Sequence, residues 1–584
     1  DQTIGCSSSY NATCTLETGD TGIDFVVTMT DDGFLGAVEN DVDVTATAGS
    51  QPIVILYHAT GHDGSTSGDD GDNEGQRSGS VRHERLADPD RRRLRRLGPA
   101  EPHRPAGLRR RRRHPRLQRQ RRRPRRRRRH PVDLQPRRDA GALRRAGLER
   151  QRGLRDLDVQ PGRRGRGDEQ RLAQVSDPQR SIAGIYAHSQ GGVGQASEDN
   201  SDPGGKGEPG REIVLQNSGS ITVYAPNLEG PFKPSDGSAA MFALSTGGDG
   251  GASPDKNIGG AGGASAEDTN GSAGRILLQN DTGTIETTGY GIMGMVGAAR
   301  GGNGGDGNGG SGSRGGAGGA GGDVAVEMGA NTSLTTHGDV AYAIAGQSIG
   351  GIGGGGVESA GAGGAGGQLT MTGAAGSTIR TYGDFSGGVV LQSLGGGGGV
   401  GEDFTGILFG SGGDGGNAGS ANTVSIVSQG AVITEGDHAF GLLAQSIGGG
   451  GGAGGVGAGL VLGLGGDGGE GGLGKQATVH HSGSVTTSGY GANGIAAQSI
   501  SGGGGAAGVA GGVLSIGGQG GASGADLGVE SGKAGVNTAG DVTTTGDASI
   551  GVLAQSIGGG GGAGAGSLGI AAVGGSGGAA SEGG

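Results

Sequence analysis

The sequence predicts an all-β protein: a repetitive parallel β-helix or β-solenoid with long Gly-rich loops, plus a disordered Arg-rich segment. Composition gives the first reason, because 148 of the 584 residues are Gly, Trp is absent, and Tyr and Phe contribute only 8 each. So few large apolar side chains cannot fill one thick core. The second reason is a sequence pattern that recurs every 45 to 57 residues. Stacked repeats need only a thin core, because each unit buries its apolar face against its neighbours.

Charge and repetition divide the chain into three segments. Residues 1–76 form an N-terminal segment, residues 77–180 contain 36 Arg, no Lys and 12 acidic residues, and residues 181–584 carry the Gly-rich repeats. Outside the Arg-rich segment there are 10 basic and 45 acidic residues. This acidic majority suits an exterior surface and has no affinity for nucleic-acid phosphates.

The only two cysteines, Cys6 and Cys14, enclose a small loop near the start of the chain. They are candidates for a local disulfide in an oxidising compartment, and the alternative is two unrelated reduced thiols. The sequence shows no export signal and no run of about 18 apolar residues. We therefore expect no direct membrane span and, if the protein is exported, a signal that has been removed or lies outside this fragment.

Each repeat is predicted to contain two short strands, a Gly-Asp turn, a third strand and a Gly-rich excursion. Val, Ile and Thr alternate with polar residues at period two, which is typical of strands with one buried face. In the strand around residue 222, for example, Ile221 and Val223 are expected to point inward, while Ser220 and Thr222 face water. The Gly runs carry no side-chain pattern, so we expect flexible loops there.

A Gln-Ser pair marks the third strand of the clearest repeats. A recurring polar pair within an apolar strand could form a ligand site, but equivalent residues in stacked coils can also satisfy one another through a hydrogen-bonded ladder along the solenoid. We favour the structural interpretation. The predicted anchors are Gln347, Ser348, Gln392, Ser393, Gln445, Ser446, Gln498, Ser499, Gln555 and Ser556.

No pattern in the sequence predicts catalysis, a cofactor or a metal. The Asp-Gly clusters such as GGDGGNAG resemble calcium-binding nonapeptide repeats but lack the aliphatic residue two places after Asp. His480 and His481 are adjacent on a predicted strand, so their side chains point to opposite faces and cannot share one metal. No Ser-His-Asp or Cys-His constellation is present. We therefore expect a protein that is not an enzyme.

The Arg-rich segment interrupts the repeats sharply. Gly codons of the form GGC, read one base out of phase, give CGG and hence runs of Arg. The length of the segment is close to two repeats, which favours a frameshifted translation of repeat DNA. A disordered linker and a genuine nucleic-acid-binding arm are the alternatives, and as a peptide the segment would be disordered because it is highly charged and poor in apolar residues.

The repeats resemble the passenger regions of Gram-negative autotransporter proteins. The resemblance rests on units that end in AQSIGGGGGAG, as at residues 554–564, and on SGSVTTSG-like strands before them. It covers residues 181–584 well and residues 1–75 loosely. It implies a secreted β-helical passenger that crosses the outer membrane through its own C-terminal β-barrel, which this sequence does not contain, and that serves in adhesion at the cell surface.

Three functions are therefore compared. The first is a surface-displayed structural and adhesive protein with multivalent contacts to an unknown host or cell-surface ligand. The second is a polysaccharide-acting enzyme borne on the solenoid, which would need basic and acidic residues clustered on one face. The third is nucleic-acid binding through the Arg-rich segment. We favour the first, located at the cell surface or outside the cell, with no nucleic-acid partner.

Overall fold

The computed structural model describes residues 182–197, 202–225, 238–253, 258–265, 275–307, 312–524 and 532–583, together with the backbone of six strands between Cys6 and Thr60. These residues form strands and no helix, and long parallel sheets stack along one axis, so the predicted β-solenoid is confirmed. The Arg-rich segment 77–180 lies outside the described residues. So do the side chains of Cys6 and Cys14, and their disulfide therefore stays a prediction.

Three long sheets build the solenoid, with strands numbered β1 to β36 in chain order. The first sheet has the order β1 (Cys6–Ser7), β4 (Ala37–Asn40), β8 (Ile213–Asn217), β11 (Arg275–Asn280), β14 (Asp323–Met328), β17 (Leu369–Gly373), β22 (Val424–Ser428), β27 (Ala477–His481) and β32 (Ala534–Thr538). The second has the order β2 (Ala12–Gly19), β3 (Gly22–Met29), β6 (Ile53–Thr60), β7 (Ala183–Gln190), β10 (Ala239–Thr246), β13 (Met293–Arg300), β16 (Ile344–Ile349), β19 (Val389–Leu394), β24 (Leu442–Ile447), β29 (Ile495–Ile500) and β34 (Val552–Ile557). The third has the order β5 (Val44–Thr47), β9 (Ile221–Tyr224), β12 (Thr284–Thr288), β15 (Ser333–Thr336), β18 (Thr378–Thr381), β23 (Ala431–Thr434), β28 (Val485–Thr487) and β33 (Val542–Thr544).

Two further four-stranded sheets lie within the Gly-rich excursions of the last four coils. One contains β20 (Phe404–Gly406), β25 (Gly457–Gly459), β30 (Ala510–Gly511) and β35 (Ser567–Leu568). The other contains β21 (Phe409–Ser411), β26 (Leu462–Leu464), β31 (Leu514–Ile516) and β36 (Ala571–Val573). Each of these four excursions thus ends in two short strands joined by a two-residue turn, which we call a hairpin; its two strands pair in parallel with their equivalents in neighbouring coils rather than with each other.

The core is thin and repeats from coil to coil. Along β19, Val389 and Leu391 are fully buried, whereas Val390 and Gln392 are half-buried, which is the expected period of two. The same alternation places Ile221 and Val223 inside and leaves Thr222 half-buried. Ile, Leu, Val, Met and Ala from consecutive coils join into one continuous apolar cluster. Each coil therefore buries its apolar residues only when its neighbours are in place.

One corner has a repeated local geometry in six successive coils. The residue eight places before the anchor position adopts a left-handed backbone conformation, at Gly291, Val340, Phe385, His438, Gly491 and Ala548, with φ between 56° and 70°. Such a conformation is costly for Val and Phe, so the surrounding contacts must impose it. A Thr hydroxyl at the end of the preceding strand supplies one of them: Thr336 Oγ1 donates to the carbonyl of Ala341 at 2.8 Å, and Thr381, Thr434 and Thr487 repeat the contact.

The Gly-rich excursions are ordered arms rather than the flexible loops expected from the sequence. In the arm at 301–307, the amides of Gly301, Gly304 and Gly307 donate to the next coil at 2.8 to 2.9 Å. Those of Gly302 and Gly305 donate to a facing arm at 2.8 to 2.9 Å. Every third residue faces solvent, as Asn303 and Asp306 do. A period of three residues is that of a polyproline II-like chain, and the network supplies the hydrogen bonds that an isolated chain of this kind would lack.

Close packing explains why the inward positions of these arms are Gly. A Cβ added at Gly449 would lie 2.1 Å from the carbonyl oxygen of Gly396 in the preceding coil, which no side chain can occupy. At the adjacent Gly450, which is exposed, an added Cβ would have no neighbour within 4 Å. The arms therefore require Gly at two of three positions and tolerate other residues at the third.

Gly449→Ala is expected to open the arm locally, because the methyl group forces the backbone of two coils apart at a cost of about 1–3 kcal/mol or more. Gly450→Ala is the matched control and should leave the arm intact. Hydrogen–deuterium exchange read by mass spectrometry over residues 448–474 measures both. Equal protection of the two variants would contradict this packing of the arms.

Candidate functional site

The predicted anchor residues stack in register along the second sheet. Gln347, Gln392, Gln445, Gln498 and Gln555 occupy one position, and Ser348, Ser393, Ser446, Ser499 and Ser556 occupy the next. The Gln amides form a ladder in which Nε2 of each coil donates to Oε1 of the next, at distances between 2.5 and 3.4 Å. The ladder forms because each Gln lies directly opposite the Gln of the next coil. Each Gln in the ladder is therefore hydrogen-bonded to the equivalent Gln of a neighbouring coil.

The Ser side chains bind backbone groups of the Gly-rich arms. Ser393 Oγ donates to the carbonyl of Gly367 at 2.8 Å and accepts from the amide of Asn422 at 2.8 Å, so one buried hydroxyl joins two successive returning arms. Ser446 repeats this arrangement with the carbonyl of Asn422 at 2.9 Å and the amide of Lys475 at 2.8 Å. The anchor Ser therefore fastens the arms to the solenoid wall.

Ser393→Ala should loosen the returning arms, because it leaves one buried carbonyl and one buried amide without a partner, at about 1–3 kcal/mol for each group. We expect hydrogen exchange to accelerate at least tenfold in residues 361–368 and 418–423. Ser425→Ala, which removes a half-buried hydroxyl from β22, should change exchange in those peptides by less than twofold. Indistinguishable exchange in the two variants would refute the fastening role.

The Asp-Gly clusters cap backbone groups of the neighbouring coil. Asp306 Oδ1 accepts from the amide of Gly355 at 2.7 Å, and Asp414 Oδ1 accepts from that of Asp467 at 2.9 Å. Asn417 makes the equivalent contact with the amide of Glu470 at 2.8 Å. In each arm, every third residue faces solvent. These side chains accept hydrogen bonds from the backbone amides at such positions. Among the described residues, no group of three or more His, Cys, Asp or Glu is placed to hold a metal ion.

The two adjacent His residues point to opposite faces of β27. His480 is exposed, whereas His481 is 2% exposed and neither of its ring nitrogens has a hydrogen-bond partner in the described part of the chain. Burial lowers the pKa of His481, because the charged imidazolium loses hydration, and this outweighs the opposing effect of backbone groups of Ser484, Gly483 and Ser428.

A depressed pKa makes the coil around His481 sensitive to acid. The unfolded chain binds a proton near the ordinary His pKa of about 6.5, whereas the folded coil resists it. Neutral His481 therefore makes its full contribution to the free energy of unfolding above that pH. As the pH falls below it, the free energy of unfolding decreases by up to about 1.4 kcal/mol per pH unit.

His481→Ser should abolish this acid sensitivity, because Ser428 occupies the same register position in the neighbouring coil. Exchange protection of residues 477–487, corrected for intrinsic rates, is expected to fall between pH 7.5 and pH 5 in the wild type and to change less in the variant. His480→Ser is the control and should behave as the wild type. The same pH response in all three proteins would disprove the assignment.

Aromatic rings line the corner that carries the left-handed residues. His337 stacks on Tyr382 with ring centroids 4.7 Å apart, and Phe385 stacks on His438 at 5.1 Å. The rings of each pair therefore present their faces to each other, whereas His438 and Tyr490 meet edge to face with ring centroids 5.6 Å apart. These contacts stabilise the corner along the axis.

The most exposed apolar surface lies at the ends of the spurs, by which we mean the Gly-rich arms with their terminal hairpins. The tip ridge consists of the two turn residues of each hairpin: Ile407–Leu408, Leu460–Val461, Gly512–Val513 and Gly569–Ile570. Leu460 is 68% exposed and Val513 is 48% exposed, although both have a coil on either side. No charged residue occurs in residues 404–412, 456–464, 509–517 or 566–574.

The strand pattern of the repeats does not predict these hairpins. The sequence signal that marks them is the clustering of Ile, Leu, Val and Phe within tracts otherwise made of Gly, as in GAGLVLGLGG around Leu460. Comparison of the chain with protein-family models, with curated protein sequences and with solved structures yields no match. Within the described residues, no helix is long and apolar enough to cross a membrane.

Proposed function

We propose that this chain is a surface-displayed structural and adhesive protein, of the kind found in the passenger regions of Gram-negative autotransporters. One observation carries the proposal: successive coils present equivalent exposed features in register, so that the hairpin tips of the last four coils and the capping carboxylates each form a row along the solenoid. A row of equivalent groups about 4.8 Å apart is a geometry for repeated weak contacts.

Multivalency explains how such a surface can bind without a deep pocket. Linked contacts raise overall avidity by about 10²–10⁴ over the affinity of one contact, provided that all of them can engage together. The hydrogen-bonded arms meet this condition because they hold the tips at fixed spacing and lose little conformational entropy on contact. Secretion through a C-terminal outer-membrane barrel and display on a host-facing or neighbour-facing cell surface belong to the same proposal.

Deletion of the gene in the producing bacterium should lower the number of cells retained on a surface or on neighbouring cells under flow several-fold. Complementation with the wild-type gene should restore retention. Antibodies raised against the purified chain should label intact cells, and brief external proteolysis should remove the label. Labelling that requires permeabilised cells, or retention that is unchanged by deletion, would refute the proposal.

A further inference from the structure

We infer that the tip ridge docks by shallow insertion into a lipid surface with uncharged or zwitterionic headgroups. The inference deepens the proposed contact function and rests on it, because it names the surface that the spurs contact. Four observations carry it: the exposure of the ridge, its freedom from charge, the satisfaction of its backbone, and its convex shape.

The tip ridge is exposed and carries no charge. Ile407 is 88% exposed, Leu460 68% and Leu408 51%, at the outermost points of two consecutive spurs. Their clustering at adjacent turns distinguishes them from the singly scattered apolar residues that are normal on a protein surface. Because the hairpins contain no charged residue, their burial in an apolar phase requires no desolvation of a charge.

The backbone amides of the second and third turns are hydrogen-bonded to the turns of neighbouring coils. The amide of Leu460 donates to the carbonyl of Ile407 at 3.2 Å, and that of Val461 donates to Leu408 at 2.9 Å. The next coil repeats the pattern, with the amide of Val513 on Leu460 at 3.2 Å. In lipid, each unsatisfied backbone group is costly, and this usually excludes irregular turns from the apolar region. Stacking of the turns supplies partners between coils and relieves that restriction.

Shape and size favour lipid over a second copy of the chain. Four turns about 4.8 Å apart, each two residues wide, make a convex ridge of about 150–200 Å², well below the roughly 800 Å² per partner of a stable protein interface. A convex ridge can enter a fluid interface without a complementary groove. Asp403, Asp414 and Asp467 are exposed beside the hairpins, so two facing copies would bring like charges together.

The same carboxylates define the lipid class. They stand at the base of the hairpins, where headgroups would lie if the turns reached the acyl region. Anionic headgroups would be repelled at low salt, whereas zwitterionic phosphatidylcholine would not. Insertion is therefore expected to be shallow and strongest on vesicles without net charge.

Flotation of the full chain with phosphatidylcholine vesicles tests the inference. The wild type should co-float, and the double variant Leu460→Ser/Val461→Ser should bind at least tenfold more weakly, because two large apolar side chains are lost from the inserted turn. The matched control Ile352→Ser/Val427→Ser removes two exposed apolar side chains away from the hairpins and should stay within twofold of the wild type. Circular dichroism should show the same β signal for all three.

Several outcomes would overturn the inference. These are a wild type that does not float, a tip variant that floats as the wild type does, or stronger binding at low salt when phosphatidylserine is added. Sedimentation velocity without lipid can also overturn the inference. If the wild type self-associates and the tip variant does not, the tip ridge binds a second copy of the chain rather than lipid. If cell retention depends on the gene while vesicles fail to bind, only the lipid inference fails and the adhesive function stands.

Discussion

The repeats that the structure describes depend on parallel stacking in a single register. Each coil donates and accepts its backbone hydrogen bonds at the same positions as its neighbour, from Ile344 opposite Val389 to Ile495 opposite Val552. A slip of one residue would turn the apolar set of every strand to the outside. Because no coil can bury its own apolar face, order in one coil requires order in the next, and stability is distributed along the axis.

The same register accounts for the unusual Gly content. Where the chain leaves the three-sheet wall, stacking continues without side chains, and backbone approaches backbone at distances that exclude a Cβ. Gly loses more conformational entropy on folding than any other residue. The hydrogen bonds of the arms and the buried Ser hydroxyls that fasten them offset that loss, so the spurs project as ordered elements and hold their apolar tips away from the wall.

The sequence contained enough information to predict the solenoid but not the spurs. Alternating Val, Ile and Thr located strands such as β22 and β23, and the spacing of the Gln-Ser pairs predicted the stacking of Gln392 on Gln445. The period of two that indicates a strand and the period of 3.6 that indicates a helix are both recognised from the order of polar and apolar side chains. Polyglycine has no side chains and so shows neither period. The arms have a period of three, visible only in solvent-facing residues such as Asn303 and Asp306 within GGNGGDG. The tip hairpins have no local sequence signature, because their strands pair between coils rather than with each other.

Engineered disulfides across neighbouring coils test the register most directly. Thr372 and Val427 are exposed partners on β17 and β22, so Thr372→Cys with Val427→Cys should cross-link rapidly under mild oxidation. Thr372→Cys with Gln429→Cys places the second thiol two residues farther along the chain on the same face and should cross-link much more slowly. Mass spectrometry separates these products from any bond that involves Cys6 or Cys14. Equal rates for the two pairs, or no cross-link in either, would contradict the in-register solenoid.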